Sequence, residues 1–219
     1  MATARHGDKT YSVELAETAA DRAAVYDLRQ DAYAATQPYL LSPERRPSVH
    51  RAADVYDERS YIFACVSAGE REPVATCRFT VPLRGRFELD DLVTAWTLPA
   101  VPAHTLVETS RVLVRRGWRA TGLVEAMLLM AGTWLLEQTS FRYNFAVCTR
   151  PLVRLYARLG MKPTSDEELT LRGRPTVRRY VVIYGDMKTS QPAVLRRLAT
   201  QGWVISTDEA SHLQRKAGP

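Results

Sequence analysis

A basic, glycine-containing turn between a strand and a helix could bind phosphate. The strand-like segment TLVETSRVLV from Thr105 runs into RRGWRATG and then directly into an apolar helix that begins near Gly122. The first backbone N–H groups of a helix have no partner within the helix, and together with the helix dipole they attract anions. This order of elements predicts a site for a phosphorylated compound beside the turn, which carries Arg115, Arg116 and Arg119.

The periodicity of the apolar residues predicts the elements that position this turn. Apolar residues recur at helical spacing from Thr18 to about Thr36, which predicts an amphipathic helix. The segments SYIFACV from Ser60 and VATCRFTV from Val74 are separated by a polar stretch with Gly and Pro, so we predict an antiparallel hairpin. The segment from Gln37 to His50 has three prolines and no sustained period, which favours an ordered loop or lid.

The second half of the chain continues the alternation of strands and helices. We predict a strand at YNFAVCT, a short helix that ends at Gly160, a strand around RRYVVIYGDM, and a helix with Ser190 at its cap and Gly202 after it. The predicted fold is a single α/β domain over residues 1–219, with a mixed central sheet and flanking helices. We expect a frayed tail from about residue 207.

Composition excludes several classes of protein. The 219 residues are 46% hydrophobic and 25% charged, which is typical of a globular protein and not of a disordered or fibrous one. Cys65, Cys77 and Cys148 lie in apolar runs and are expected to be core thiols in a reducing compartment. The four histidines show no metal-ligand spacing, so we expect no metal.

No segment is typical of secretion or of a membrane span. The N-terminus lacks the apolar region of a signal peptide, and the longest apolar run, Gly122–Gln138, is short for a bilayer and interrupted by two glutamates. We expect this run to be a core helix first of all, with an acyl-chain tunnel beside it as the alternative. A cytoplasmic location is therefore expected.

The positive charge is concentrated in one stretch. The net charge is +6, and the segment from Phe141 to Tyr180 has nine basic and three acidic residues, which accounts for the whole excess. Such a surface attracts acidic partners. The charge alone fits a nucleic acid, a phosphorylated cofactor or an acidic protein as partner, and it equally fits a solvated face without a partner. No recognition helix or RNA-stacking motif supports nucleic acid.

Four motifs in sequence resemble the GCN5-related N-acetyltransferase fold, and within it the acyl-homoserine-lactone synthase and N-acyl amino acid synthase branch. The run VYDLRQDAY resembles its LR-x-x-x-aromatic pattern, DVYDERSY its D-x-aromatic-D motif, ATCRFT its arginine-bearing strand and LVETSRVLV its E-x-S-R motif. The matched core spans about residues 25–160, and residues 161–219 supply further strands and a helix. The resemblance implies substrate-binding residues at Arg29, Tyr33, Asp54, Asp57, Arg78 and Ser110, with Arg111 in the catalytic group.

The acyl-thioester loop of the wider fold is matched only in part. Val114, Arg119 and Gly122 fit the pattern V-x-x-x-x-[RQ]-x-x-G-x-[GA], whereas Val124 replaces the last small residue. The resemblance implies donor binding by Leu113, Val114, Arg119 and Gly122. It also places on Tyr156 the role of protonating the leaving thiolate.

Glu108 is the candidate general base. An amine must be neutral before it attacks a thioester, and a carboxylate can accept its proton. The alternative is an ordinary ion pair between Glu108 and Arg111. In a regular strand these two side chains point to opposite faces. The fold is known for a bulge in this strand that splays the sheet, so we predict an irregular ladder between Glu108 and Val114.

The other candidate residues have structural alternatives. Arg29 and Arg78 could fix a substrate carboxylate, since arginine binds carboxylates in a bidentate manner. Asp54 and Asp57 could bind the substrate ammonium, hold those arginines in place, or simply form a turn before the strand. For Tyr33 and Tyr156 the alternative is core packing with the hydroxyl at the surface.

The resemblance implies an N-acyltransferase without a permanently bound cofactor. The donor would be an acyl-carrier-protein thioester on phosphopantetheine, or acyl-CoA. The degenerate loop and the arginines at positions 115, 116, 119, 150, 154 and 158 favour an acidic carrier protein. The acceptor would be an amino acid or another amine, free or within a peptide. Alternatives are acyl-homoserine-lactone synthesis from S-adenosylmethionine and a non-catalytic binding module.

Overall fold

The computed structural model describes residues 2–36, 41, 52–119, 122–175 and 177–206. In these residues a nine-stranded sheet carries helices on both faces. The elements in chain order are β1 Ala2–His6, β2 Lys9–Leu15, α1 Ala19–Thr36, β3 Ser60–Ser67, β4 Ala75–Thr80, α2 Glu88–Leu92, β5 Leu106–Val114, α3 Leu123–Gln138, β6 Tyr143–Thr149, α4 Val153–Ala157, β7 Lys162–Pro163, β8 Tyr180–Asp186, α5 Met187–Thr200 and β9 Trp203–Ser206.

The sheet is mixed, as predicted. Its strand order is β7-β8-β6-β5-β4-β3-β2-β1-β9, and every neighbouring pair is antiparallel except β5 and β6, which are parallel. A parallel pair needs a crossover connection, and α3 supplies it between β5 and β6. The α/β fold with flanking helices predicted above is confirmed.

Alternation along the strands separates two apolar layers. In β3, Phe63 and Cys65 face the layer that holds α3 and α5, whereas Ile62 and Ala64 face α1 on the other side of the sheet. The helix α3 is buried along most of its length, because it lies between the sheet and α5. The expectation that it is a core helix is confirmed, and all three cysteines are buried as free thiols.

The edges of the sheet differ from the sequence prediction. The hairpin of β1 and β2 and the strand β9 were not predicted; the two-residue Gly7-Asp8 loop between His6 and Lys9 is a hairpin signal that the sequence does contain. The predicted cap at Ser190 is wrong. The helix α5 begins at Met187, because the Asp186 carboxylate accepts a hydrogen bond from the Thr189 N–H and caps the helix.

The strand β5 is bulged, which confirms the predicted irregular ladder. Thr76 pairs with Leu113, but Arg78, two residues further on, pairs with Ser110, three residues back, so β5 contains one extra residue. Arg111 lies within this bulge and has a φ of +53°. A positive φ is uncommon for a residue other than glycine and strains the backbone locally.

The neighbouring strands splay apart beyond the bulge. The parallel ladder of β5 and β6 ends at the pair Thr109–Ala146, although β5 continues to Val114 and β6 to Thr149. The two strand ends therefore diverge and leave the edge of β5 without a β6 partner. The cavity described below opens in this gap.

Candidate active site

Three arginines and three acidic residues form a buried ionic cluster under the cavity. The helix α1 contributes Arg29, β4 contributes Arg78 and the bulge of β5 contributes Arg111, whereas the acids are Asp54 and Asp57 before β3 and Glu88 at the start of α2. The six charges balance. Each of these elements arrives from a different part of the chain, so the cluster joins α1, the central strands and α2 at one point.

The contacts within the cluster are dense. Asp57 accepts hydrogen bonds from Arg29 at 3.0 Å and from Arg78 at 2.9 Å, and Arg78 also binds Asp54 and Glu88. Arg111 Nη2 lies 2.6 Å from Asp54 Oδ2 and 2.8 Å from Glu88 Oε1. Burial lowers the pKa of Arg78, but Glu88, Asp54 and Asp57 more than offset this effect, so its pKa is raised above the ordinary value. The guanidinium groups remain charged and are neutralised by the protein itself.

This arrangement bears on the roles considered for Arg29 and Arg78. Both side chains are fully buried, and their guanidinium groups bind the carboxylates of the protein. The aspartates hold these arginines in place, which is one of the alternatives stated above. The turn alternative is present as well, because Asp57 Oδ2 accepts from the Asp54 N–H and Asp54 Oδ1 accepts from the Tyr56 N–H.

Glu108 is buried and lines the cavity together with Glu88 and Arg111 of the cluster. Its Oε2 accepts hydrogen bonds from the N–H groups of Glu88 at 2.8 Å and Leu89 at 3.3 Å. Burial and the negative charge of Glu88 raise the pKa of Glu108 to about 8, while Arg78 and the two N–H groups act in the opposite direction. The considered ion pair between Glu108 and Arg111 is not formed, since Arg111 binds Asp54 and Glu88 instead.

A cavity of about 240 Å³ opens where β5 and β6 diverge. Residues of both strand ends line it, and α1, α2, α4 and the segment between β7 and β8 complete its walls. Six of the residues singled out from the sequence lie on its surface: Tyr33, Glu108, Ser110, Arg111, Leu113 and Tyr156. Ser110 is held by the hydrogen bond that Arg78 Nε donates to its Oγ at 3.0 Å.

Tyr156 and Cys148 face this cavity from the side of β6 and α4. Burial raises the pKa of Tyr156, so its phenol stays protonated at neutral pH and retains a proton that it can donate. Burial likewise raises the pKa of Cys148 to about 11. The thiol is therefore not a thiolate near neutral pH and is a poor nucleophile.

The predicted donor-binding residues divide between two places. Leu113 lines the cavity, whereas Val114 and Arg119 line a separate groove of about 530 Å³ between α1 and the basic turn. Arg115 shares that groove and also binds the Glu72 carboxylate and the Pro73 carbonyl.

Gly122 caps α3 in a left-handed conformation, with a φ of +91°. A Cβ atom at this position would lie only 2.6 Å from Nε1 of Trp203 and 3.0 Å from Oε1 of Gln201. The C-terminal strand β9 thus packs directly against the start of α3, and only glycine fits the space between them.

Sequence reasoning missed part of the cavity wall. Glu88 follows Phe87 in a segment without a recognised motif, and Arg174 and Arg178 were counted only as part of a basic stretch. The single signal that could have found the two arginines is their density between β7 and β8. The loop from Gln37 to His50, apart from Leu41, and the tail from residue 207 lie outside the described residues.

Among the described residues there is no cluster of three or more His, Cys, Asp or Glu side chains that could hold a metal ion. The described helices also include none with the length and apolar character that crossing a bilayer requires.

Comparison with known proteins shows the fold. No family model and no curated protein matches the chain. The CoA-dependent acyl-homoserine lactone synthase BjaI, solved with SAM and isopentyl-CoA, is 17% identical with a TM-score of 0.61, over 85% of this chain and 88% of that one. FeeM, an N-acyl amino acid synthase from uncultured soil microbes, is 9% identical with a TM-score of 0.57, over 84% and 94%.

A third solved structure is a putative N-acetyltransferase from Lactobacillus plantarum. It is 18% identical to this chain with a TM-score of 0.55, over 81% of this chain and 98% of that one. Together these structures show that the chain has the GCN5-related N-acetyltransferase fold, as the motif resemblance predicts.

Proposed function

We propose that this chain, built on the GCN5-related N-acetyltransferase fold, is an N-acyltransferase that moves an acyl group from a pantetheine thioester to an amine. The observation that carries the proposal is that Glu108 and Tyr156 line the same cavity, at the point where β5 and β6 diverge. One is a carboxyl group that exchanges its proton near neutral pH, and the other is a phenol that keeps its proton. Acyl transfer to an amine needs one group of each kind.

The reaction moves one proton from nitrogen to sulfur. The carboxylate form of Glu108 accepts a proton from the attacking amine as the C–N bond forms at the thioester carbonyl. The C–S bond then breaks, and Tyr156 donates a proton to the departing sulfur. Water restores the proton of Tyr156 and removes that of Glu108. The products are an amide and a free thiol, and no permanently bound cofactor takes part.

The exposed edge of β5 supports an extended donor. Beyond Thr109 this edge has no β6 partner, so its main-chain groups are available to the amide groups of a pantetheine arm. The basic turn with Arg116 and Arg119 lies at the far end of the same strand and suits the phosphate of that arm.

We further propose a carrier protein as the source of the arm. Arg116, Arg119 and Arg154 are exposed and suit an acidic surface, whereas Arg150 binds Glu168 and Arg158 binds Glu125. Arg115 binds Glu72 in the same way. Three of the six arginines that favour a carrier protein therefore also form ion pairs with acids of this chain. Acyl-CoA is the competing donor, and BjaI is a CoA-dependent protein of this fold.

Mass spectrometry of reaction mixtures tests the proposal. The protein is incubated with acyl-carrier-protein or acyl-CoA donors of several chain lengths and with a mixture of amino acids, other amines, peptides and S-adenosylmethionine. We expect an acylated amine, and formation of a homoserine lactone would instead identify the lactone synthase. Glu108→Gln should reduce the rate about 10²- to 10⁴-fold, because it removes the base.

Tyr156→Phe tests the proton donor. Glu137→Gln is the matched control for Glu108→Gln, since Glu137 is an exposed glutamate on α3. The control should retain full activity. Absence of product with every donor and acceptor would overturn the proposal and favour a binding module.

A further inference from the structure

Two glutamates among the described residues line the cavity, and they have different partners. Glu88 Oε1 accepts a hydrogen bond from Arg111 at 2.8 Å, and its Oε2 accepts one from Arg78, so guanidinium groups occupy both oxygens. No described arginine forms an ion pair with Glu108, although its carboxyl group is buried on the same cavity wall. One carboxylate therefore belongs to the ionic cluster and the other stays outside it.

Glu88 contacts Glu108 through its main chain. The N–H groups of Glu88 and Leu89 donate to Glu108 Oε2 at 2.8 and 3.3 Å. Among the described residues no donor reaches Glu108 Oε1, so this oxygen is available to an amine in the cavity. The same residue thus orients the base with its N–H and binds the arginines with its side chain.

The position of Glu88 is fixed by its neighbours in the chain. Phe87 and Leu89 on either side are buried in an apolar cluster. The Asp90 carboxylate accepts from the Phe87 N–H and from Trp96 Nε1, both at 2.7 Å, and holds the start of α2. The side chain of Glu88 therefore reaches the arginines from an anchored backbone.

The charge balance of the cluster depends on Glu88. Without it, three arginines would face only Asp54 and Asp57 and would keep one uncompensated positive charge. A buried charge without a counter-charge is strongly unfavourable. Glu108 is close enough for the charge of Arg78 to act on it and to lower its pKa. In the absence of Glu88, the arginines would thus draw on the carboxylate of Glu108.

We propose that Glu88 is a positioning residue for acyl transfer, because by binding the two arginines it keeps the carboxylate of Glu108 free to accept the proton of the amine. The proposal rests on the proposed acyl transfer and adds the residue that keeps its base outside the ionic cluster. Glu88 does not itself take the proton, since both of its oxygens are bound to guanidinium groups. A carboxylate beside a positive charge is a weaker base, because that charge stabilises its ionised form.

Infrared titration tests the proposal without any substrate. The C=O stretching band of protonated Glu108 is followed over roughly pH 5 to 10 as the difference between each protein and the same protein carrying Glu108→Gln. We expect a midpoint near pH 8 in the wild type. In Glu88→Gln it should lie about one pH unit lower or more, because a like charge is removed and the arginines act on Glu108 instead. Glu88→Asp keeps the charge and should titrate close to the wild type.

Two further variants make the titration specific. Glu58→Gln is the matched control: Glu58 is exposed beside the buried Asp57, and its loss should leave the midpoint unchanged. The double variant of Glu88→Gln with Arg111→Gln keeps the buried charges balanced and replaces the single variant if that one does not fold. Its midpoint should also lie below that of the wild type, because Arg78 then acts on Glu108 without Glu88.

The other ionisable side chains of the cavity form a constant background. Among the described residues these are Tyr33 on α1, Cys148 on β6, Tyr156 on α4, Arg174 and Arg178 before β8, and Tyr180 at the start of β8. Their effect on Glu108 is the same in the wild type and in the variants of Glu88. A change in the titration of Glu108 therefore belongs to Glu88 and to the arginines that it binds.

The rate of acyl transfer tests the consequence for catalysis. The ratio of kcat/KM in Glu88→Gln to that in the wild type is taken at each pH, which cancels the contribution of the acceptor amine. Above pH 8 the variant should be about ten-fold slower or more, because its base is weaker. The ratio should be higher near pH 6, where Glu108 is mostly protonated in the wild type and already ionised in the variant. A purely structural defect would lower the ratio equally at every pH.

Two outcomes would overturn the proposal and leave the proposed function intact. One is a midpoint of Glu108 that is the same in the wild type, in Glu88→Gln and in the double variant. The other is a rate ratio that does not change with pH. Absence of acylated product with every donor and acceptor would overturn the proposed function, whereas the infrared titration would still decide whether Glu88 controls the proton affinity of Glu108.

Discussion

Glu108 illustrates how surroundings decide the chemistry of a single residue. Its carboxyl group is buried, it accepts two main-chain hydrogen bonds, and it lies beside the negatively charged Glu88. Burial and Glu88 raise its pKa to about 8, which makes the neutral form dominant at pH 7. Such a group returns to the carboxylate at slightly alkaline pH and is therefore well matched to accept a proton from an amine.

The rate of acyl transfer should depend on pH through Glu108. A general base works only when deprotonated, so Glu108 alone should contribute about a ten-fold increase in kcat/KM for each pH unit below 8 and no further increase above it. The acceptor amine also becomes neutral as the pH rises, and it contributes in the same direction. Measuring kcat/KM from pH 6 to 10 for the wild type and for Glu108→Gln separates the two effects, because the variant retains only the amine's contribution. Identical profiles would remove Glu108 from the role of base.

At the scale of elements, the bulge in β5 determines where the cavity lies. The extra residue in β5 re-aims Arg111, which can then join Asp54 and Glu88 in the ionic cluster. The same strand loses its β6 partner beyond Thr109. One irregular strand therefore contributes both to the ionic cluster and to the gap in which the cavity opens. The strand β9 closes against Gly122 and fixes the start of α3.

Gly122→Ala tests that packing. The substitution forces a side chain into a left-handed conformation and a Cβ atom against the buried Trp203, so we expect the free energy of unfolding to fall by about 2–4 kcal/mol. Urea unfolding measures this change. Gly117→Ala is the matched control in the same turn, because its Cβ would meet no atom within 4 Å and its φ is not positive; it should stay within about 0.5 kcal/mol. Equal effects of the two substitutions would contradict the packing argument.

For the whole molecule, the buried ionic cluster is balanced in charge, whereas the chain carries a surplus of positive charge. The buried cluster pairs three arginines with three acids, while the chain as a whole carries a net charge of +6. Exposed arginines such as Arg116 and Arg154 contribute to this surplus. A basic surface speeds the approach of an acidic partner by long-range attraction, which salt screens.

Salt dependence tests the proposed carrier protein. With an acyl-carrier-protein donor, kcat/KM should fall about ten-fold or more between roughly 0.05 and 0.5 M NaCl, and Arg116→Gln together with Arg119→Gln should weaken this dependence. Lys188→Gln, an exposed lysine on α5, is the control and should preserve it. A rate that does not respond to salt would argue against electrostatic docking and favour acyl-CoA.

The sequence by itself determined the order of the principal elements and the types of most site residues. Periodicity, turn residues and caps are local, so α1, the hairpin of β3 and β4, the strand–turn–helix around Gly122 and the strand that carries Glu108 were all predictable. Tyr33, Glu108 and Tyr156 could be named because each lies in a recognisable motif. For the residues of the ionic cluster, the sequence left several roles open, and mutual pairing of the arginines with the aspartates was only one of them.

Only the tertiary structure decided which of these side chains meet. It turned Arg29 and Arg78 toward carboxylates of the protein, left Glu108 unpaired with Arg111, and brought Arg174 and Arg178 to the cavity of Glu108. The reason is physical: a pKa, an ion pair and the charge of a cavity depend on distances between residues that are remote in sequence. Those distances follow from strand register, and the one-residue bulge in β5 changes that register where the site is built.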